Sequence, residues 1–297
     1  MKTSNRILAA IDRSLLSIRV IRSAIDFAVA TDSDLEFLSI DIGRDGSVDM
    51  QVEVHLKHFV GEQIAALGAD SLPWSLSVRA SREVAEEIVS YADATGNDMI
   101  VIGTHGKRGF KKLMLGSVAL EVMRTATVPV FTIGDNDDTD TAQNPFSQIL
   151  IPYDFSQHSE LALDYGILMA NRLNARIDVV HVVEDTMYPA FYGPFVQSVY
   201  DASPGLEEIA REKLRRIVEN SGFNMSRVSI QIMHGHPARA LTEYAKKNSM
   251  DLIVMTTHGL TGMQHLFMGS VAERTVQLVH CPVLTLRPGA SDQATRG

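Results

Sequence analysis

Two aspartates and a glycine loop written twice are the residues of this chain whose types and spacing fit ligand chemistry. Residues 98–133 read DMIVIGTHGKRGFKKLMLGSVALEVMRTATVPVFTI, and residues 251–286 read DLIVMTTHGLTGMQHLFMGSVAERTVQLVHCPVLTL. At a spacing of 153, 15 of these 36 positions are identical, more than shared composition gives. In the first copy Gly103-Thr104-His105-Gly106 is followed, nine residues on, by Gly116-Ser117; in the second, Thr256-Thr257-His258-Gly259 is followed by Gly269-Ser270. Glycine lets backbone approach a ligand closely and adopt positive φ. The helix expected after each Gly-Ser offers unpaired N–H groups and a positive dipole end, which is an anion site. The competing reading is that the glycines serve only the turn. The hydroxyls of Ser117 and Ser270 either cap their helices or touch phosphate. Ser270-Val271-Ala272-Glu273 spells a capping box, whereas Leu120 stands where Ser117 would need the acid. Asp12 and Asp154 each close a short apolar run near the start of a copy.

The elements that must position these residues follow from periodicity. Residues 6–12 are an apolar strand, and Ile18, Ile21, Ile25 and Ala28 recur at helical steps. Strands are expected at 35–42, 76–80, 99–103 and 128–133, with helices at 52–67, 84–94 and 117–125. The second copy repeats the order. Its strands are 149–154, 177–183, 228–233, 252–255 and 281–286; its helices are marked by Leu161, Tyr165 and Leu168, then by 206–220 and 238–247. Alternating strands and helices imply βαβ units and a mostly parallel sheet, so the fold class is α/β. In such sheets ligands bind at the carboxyl ends of strands, where the Asp12 and Gly103 ends fall. The expected organisation is a first domain at 1–134, an acidic linker at 135–147, a second domain at 148–288 and a flexible tail at 289–297. Asp12 and Asp154 are 142 apart while the later loops are 153 apart, so the second copy has gained a net 11 residues. The aromatic-rich stretch 184–205 is the place for them. The last strand of each copy finishes a sheet at an edge, and unpaired edges invite pairing.

Composition narrows the function classes. A chain of 297 residues fits two ordinary domains. The formal charge of −9 argues against nucleic acid as the main partner. No stretch approaches about 20 uninterrupted apolar residues, so no membrane insertion is expected. The N-terminus lacks a signal-peptide pattern. Cys281 is the only cysteine, which suits a reducing cytoplasm and reads as a small buried residue.

Other candidates carry less. His234 and His236 flank a glycine with no Cys or acid nearby to complete a metal set, and His55 and His58 read as a helix surface. The aspartates of the linker lack the glycine and glutamate of a calcium loop. Lys107, Arg108, Lys111 and Lys112 form a basic cluster, either phosphate-attracting or simply solvated. No Ser-His-Asp arrangement or G-x-S-x-G elbow is visible, so no catalytic residue is assigned and the chain is not expected to be an enzyme. Neither G-x-x-x-x-G-K-[ST] nor G-x-G-x-x-G occurs.

The pattern G-x-x-G-x9-G-[ST] after an apolar strand, followed by a helix and a V-P-V strand, resembles the universal stress protein family. Gly103, Gly106, Gly116 and Ser117 carry it in copy one; Gly259, Gly269 and Ser270 carry it in copy two. The openings ILAAIDRS (7–14) and ILIPYDFS (149–156) are similar to the family's first strand. The resemblance implies two tandem Rossmann-like domains of the adenine nucleotide alpha hydrolase type, each a five-stranded mostly parallel sheet. It implies ATP or a related adenine nucleotide as ligand in one branch of the family, with Mg as its accompanying ion. Carried over, Asp12 and Asp154 lie by the adenine with Ala10, Ile11, Pro152 and Tyr153, and Ile40 and Val182 wall the base. Ile102, Gly103, His105, Gly106, Gly116, Ser117 and Val118 line ribose and phosphates. In copy two those places fall to Met255, Thr256, His258, Gly259, Gly269, Ser270 and Val271. Thr256 departs from the glycine and is expected to put a β-branched side chain where the ligand approaches. Gly235-His236-Pro237 stands where copy one has Ser81-Arg82-Glu83. The resemblance also implies pairing through the last strands: here the two copies as a pseudo-dimer, and then a homodimer of chains. The activity implied is that of a stress-response or signalling module, at most a weak ATPase. The other readings are an ATP-activating enzyme and a scaffold without nucleotide.

Overall fold

A computed structural model describes residues 5–41, 50–105, 115–134, 146–184, 205–258 and 268–288. The first half runs β1 (Asn5–Ile11), α1 (Leu16–Thr31), β2 (Ser33–Asp41), α2 (Met50–Ala66), β3 (Trp74–Ala80), α3 (Val84–Thr95), β4 (Met99–Gly103), α4 (Ser117–Thr125) and β5 (Val130–Ile133). The second runs β6 (Gln148–Pro152), α5 (Gln157–Arg172), β7 (Arg176–Val183), α6 (Leu206–Asn220), β8 (Val228–His234), α7 (Pro237–Lys247), β9 (Leu252–Thr256), α8 (Ser270–Leu278) and β10 (Val283–Leu286).

The strands lie in one sheet in the order β3-β2-β1-β4-β5-β10-β9-β6-β7-β8. Each half is parallel, with the chain reversing direction across the sheet between β1 and β4, and between β6 and β9. Such switch points leave a crevice at the strands' carboxyl ends. The last strands start two residues later than the apolar run suggests. Pro129 and Pro282 precede them and have no N–H for a ladder; their carbonyls still accept from Ile100 and Ile253, each at 3.0 Å. β3 instead begins earlier, at Trp74, whose ring meets Phe37 edge-on at 6.1 Å.

Strand alternation sorts side chains into two cores, and each core spans both halves. One face carries α1, α2, α5 and α6, with Ile7, Ala9 and Ile11 of β1 beneath them. The other carries α3, α4, α7 and α8 over Leu8, Leu38, Ile100 and Ile102. The halves meet where β5 and β10 pair antiparallel, Thr132 opposite Val283 and Thr285 opposite Val130. The threonine hydroxyls donate reciprocally, Thr132 to the Val283 carbonyl at 3.0 Å and Thr285 to that of Val130 at 3.2 Å. The edges expected to pair thus join the halves as a pseudo-dimer inside one chain.

Phe146 corrects the reading of 135–147 as wholly solvated linker. It is 1% exposed and sits in a trio with Phe27 and Phe131, at ring separations of 5.3 and 5.8 Å. Residues 135–145, the tail, most of 184–205 and the Lys107 cluster lie outside the described residues.

Candidate functional site

The carboxyl ends of β1, β2 and β4 form the first crevice. Ala10, Ile40, Ile102 and Val118 all project to the α3/α4 side and pack together in the second core. They make one apolar wall, drawn from four separate elements. Asp12 follows β1 directly. Its Oδ1 accepts from the Ser14 N–H at 2.8 Å and the Ser17 hydroxyl at 2.9 Å, and Ser17 Oγ in turn accepts from the Asp12 N–H. The carboxylate is thereby fixed at the crevice mouth. Ile11 has its side chain in the opposite core and is 4% exposed, because successive strand residues alternate. It gives the crevice only main chain.

The loop after β4 returns over its own strand. The Gly116 N–H donates to the Thr104 carbonyl at 2.7 Å, and a Cβ at Gly116 would stand 3.0 Å from that oxygen. A side chain here would crowd the Thr104 carbonyl that the loop closes on. The same closure recurs at Gly269, with 2.6 Å to Thr257 O and 3.1 Å for a Cβ. Gly116 and Gly269 are themselves the helix caps, with no side-chain cap bond, so Ser117 and Ser270 are the first helical residues. The capping-box reading of Ser270 is therefore corrected: a side chain at this position is past the geometry that caps. Both serines are exposed at their helix starts. His105 Nδ1 is held by the Thr104 hydroxyl at 2.9 Å, while its Nε2 is buried without a hydrogen bond among the described residues. A buried polar atom of this kind wants a partner. An apolar slot, an anchored carboxylate, a helix start and an imidazole nitrogen with no partner among the described residues thus lie at one strand end. Gly106 and Gly259 lie outside the described residues.

The second crevice has the same plan. Val182, Met255 and Val271 pack on the α7/α8 side, and Pro152 ends β6 at the position matching Ala10. Asp154 Oδ1 accepts from the Ser156 N–H at 3.0 Å, and the Ser156 hydroxyl caps α5. His258 Nδ1 meets the Thr257 hydroxyl at 2.9 Å. Tyr153, like Ile11, is turned into the opposite core. Burial, then the nearby Glu160, pushes its phenol up to about 12.

Thr256 behaves otherwise than expected. A Cβ at the matching Gly103 would point at Leu16 and Val20 of α1, 2.9 Å from Leu16 Cδ2, not at the crevice. Thr256 is buried on the same side of its strand, and its hydroxyl donates to the His258 carbonyl at 2.7 Å. Copy two has His158 in place of Leu16, its ring centroid 6.3 Å from that of His258. The glycine-to-threonine exchange is absorbed behind the crevice, on the α5 side of β9. At the crevice edge, Ser81 Oγ accepts from the Glu83 N–H before α3, whereas Gly235, at φ 117, leads to His236 and Pro237 at the start of α7.

Two functional features escaped the sequence reading. One is the group His158, Phe155 and His181 behind the second crevice; setting the openings in register at 142 would have exposed it as exchanges of Leu16, Arg13 and Ser39. The other is the leading aspartate of the repeat. Asp98 accepts from the Arg6 N–H at 3.0 Å, and Asp251 from the N–H groups of Ser147 and Gln148. Each ties a switch-point strand to its neighbour. His234 pairs with Glu207 at 3.6 Å and His58 with Glu62 at 3.1 Å; among the described residues no group of three or more His, Cys, Asp or Glu could hold a metal.

Fold and crevices together define a doubly wound α/β chain with two crevices of the same plan. The Universal stress protein family model matches residues 3–134 and 145–287, so the chain belongs to that family in tandem form. It is similar to Universal stress protein MJ0531 of Methanocaldococcus jannaschii, 32% identical over 145 residues, covering 49% of this chain and 84% of that protein. It is also similar to a universal stress protein of Mycolicibacterium smegmatis, 26% identical over 239 residues and covering 80% and 78% of the two chains. Among solved structures, a universal stress protein from Archaeoglobus fulgidus has the same fold at a TM-score of 0.72 and 21% identity, covering 97% of this chain and 100% of that one.

Proposed function

We propose that each half binds one adenine nucleotide, ATP or a close relative, and that the chain works as a nucleotide-dependent stress-response or signalling module of the cytoplasm. The observation that carries this is the duplicated closure of Gly116 onto Thr104 and Gly269 onto Thr257. It sets an exposed serine and a helix start beside an apolar wall and an anchored aspartate, twice. The apolar walls take the base; Asp12 and Asp154 accept from its exocyclic amine; His105 and His258 face the sugar and phosphates. The helix starts at Ser117 and Ser270 receive the phosphates. Mg arrives with the phosphates as their counter-ion.

The chain is a binding protein, and hydrolysis in it is slow. A general base must reach the attacking water, and the Asp12 and Asp154 carboxylates are engaged at the base end of the crevice by their own turns. Two chains associate further as a homodimer. Mass spectrometry of nucleotide released from purified protein tests the reading: bound ATP, ADP or AMP supports it, and failure to bind any adenine nucleotide at millimolar concentration turns the chain into a scaffold. Multiple turnover at or above about 1 per second would instead make it an enzyme.

A further inference from the structure

The two crevices are walled alike, each by its own half, and differ in what stands behind the wall. On the α1/α5 side copy two has exchanged Ile11, Arg13 and Ser39 for Tyr153, Phe155 and His181. His181 Nδ1 donates to the Tyr153 carbonyl at 2.8 Å, the peptide group immediately before Asp154. A carbonyl only accepts, so this nitrogen carries the proton and Nε2 is the basic one. The Phe155 ring lies against the imidazole at 4.8 Å and against Tyr153 at 5.4 Å, both tilted edge to face. Phe155 holds φ at 64°, a left-handed conformation that an aromatic residue keeps only when its surroundings impose it. The Asp154 turn is therefore braced by His181 from behind, and copy one has no counterpart.

Burial lowers the His181 pKa below its ordinary value of 6.5, while the Tyr153 carbonyl and Asp154 pull the other way. The ring is neutral near pH 7.5 and takes up a proton as pH falls below that ordinary value. The groups around it are Asp154 and Tyr153 on the turn, with Glu160 and Asp164 of α5 acting on Tyr153. On α6, Lys213 lies 4.7 Å over the Phe155 ring. At the end of β8, beside the end of β7, His234 pairs with Glu207 of α6. Of the acids, Asp154 is the one that acts on the imidazole itself.

We propose that His181 is a positioning residue for Asp154 and makes the second crevice release its nucleotide on mild acidification, while the first crevice does not respond. The inference rests on the nucleotide reading given above. A charged imidazolium on the core side of the turn attracts the Asp154 carboxylate away from the base, and the crevice loses its polar anchor. In copy one Ser39 cannot charge, so Asp12 stays in place.

The test is titration of the full chain with a fluorescent ATP analogue at pH 7.5 and pH 5.5. Ser117→Asp silences the first crevice by placing a carboxylate at its exposed helix start; Ser270→Asp silences the second. The expected result is affinity weaker by up to about fivefold at pH 5.5 in Ser117→Asp, the most that a one-unit difference between bound and free states gives at this pH for an imidazole that titrates below 6.5, and a change below about twofold in Ser270→Asp. His181→Asn in the Ser117→Asp background keeps an N–H for the Tyr153 carbonyl and is expected to flatten the profile; His181→Ser, the residue of copy one, flattens it as well. Equal pH slopes in the two crevices, or an unchanged slope in both His181 variants, overturn the inference. No binding in either crevice at either pH overturns the nucleotide reading itself, and this inference with it.

Discussion

Single residues carry two predictions. Gly103 exists because Leu16 and Val20 occupy the room its side chain would need. Gly103→Thr should therefore destabilise the chain by about 1–3 kcal/mol, as overpacking does. Adding Leu16→His recreates the pair found in copy two and should recover part of the loss in urea denaturation; equal loss in the double variant would sever the link between the two positions. The second concerns Asp178. Burial raises its pKa above the ordinary 3.8 against the lowering effects of Tyr244 and Arg176, and the Tyr244 hydroxyl donates to it at 2.7 Å. The folded state thus holds this proton more tightly than the unfolded chain. Its contribution to stability is full below pH 3.8 and is lost as pH rises through the folded-state pKa. Asp178→Asn should raise the melting temperature at pH 7 and leave it nearly unchanged at pH 3.5. A lower melting temperature at pH 7 contradicts this. The repeat and the two aspartates were legible in the sequence because a glycine loop and an acid at a strand end are local signals. What Gly103 and Thr256 face was not, since it depends on a helix packed from elsewhere.

At the scale of elements, the sites depend on α4 and α8 beginning at a closed loop. Ser117→Asp should cost the first crevice at least about tenfold in nucleotide affinity while leaving the fold intact, because an acid in a first helical turn suits the dipole. Calorimetry on the Ser270→Asp background isolates the effect, and unimpaired binding there would remove the phosphates from this helix end. The elements themselves could be read nearly complete from periodicity, and their discrepancies have plain causes. Pro129 and Pro282 delay the last strands, and Trp74 extends β3 by docking on Phe37. The capping box fails because sequence spacing does not reveal which residue is the cap: Gly269 is the cap and Ser270 follows it.

For the whole molecule, the seam decides the arrangement. β5 and β10 run antiparallel, so the two glycine loops leave the sheet at opposite ends of the seam. The crevices share no wall, and each should bind its nucleotide independently. The halves share both cores, however, and the Phe27, Phe131 and Phe146 trio sits where they join. Phe146→Ala should cost about 3–5 kcal/mol and unfold the halves in a single transition rather than two. That an edge strand would join the copies was readable from the sequence; that Phe146 reaches back from the linker to bury itself was not, because one phenylalanine in a polar stretch has no period. The most direct test of the account is calorimetric titration of the intact chain with ATP at pH 7.5. Two nucleotides per chain are predicted, falling to one in Ser117→Asp and one in Ser270→Asp. Absence of binding in the intact chain, or stoichiometry unchanged by both substitutions, would contradict it.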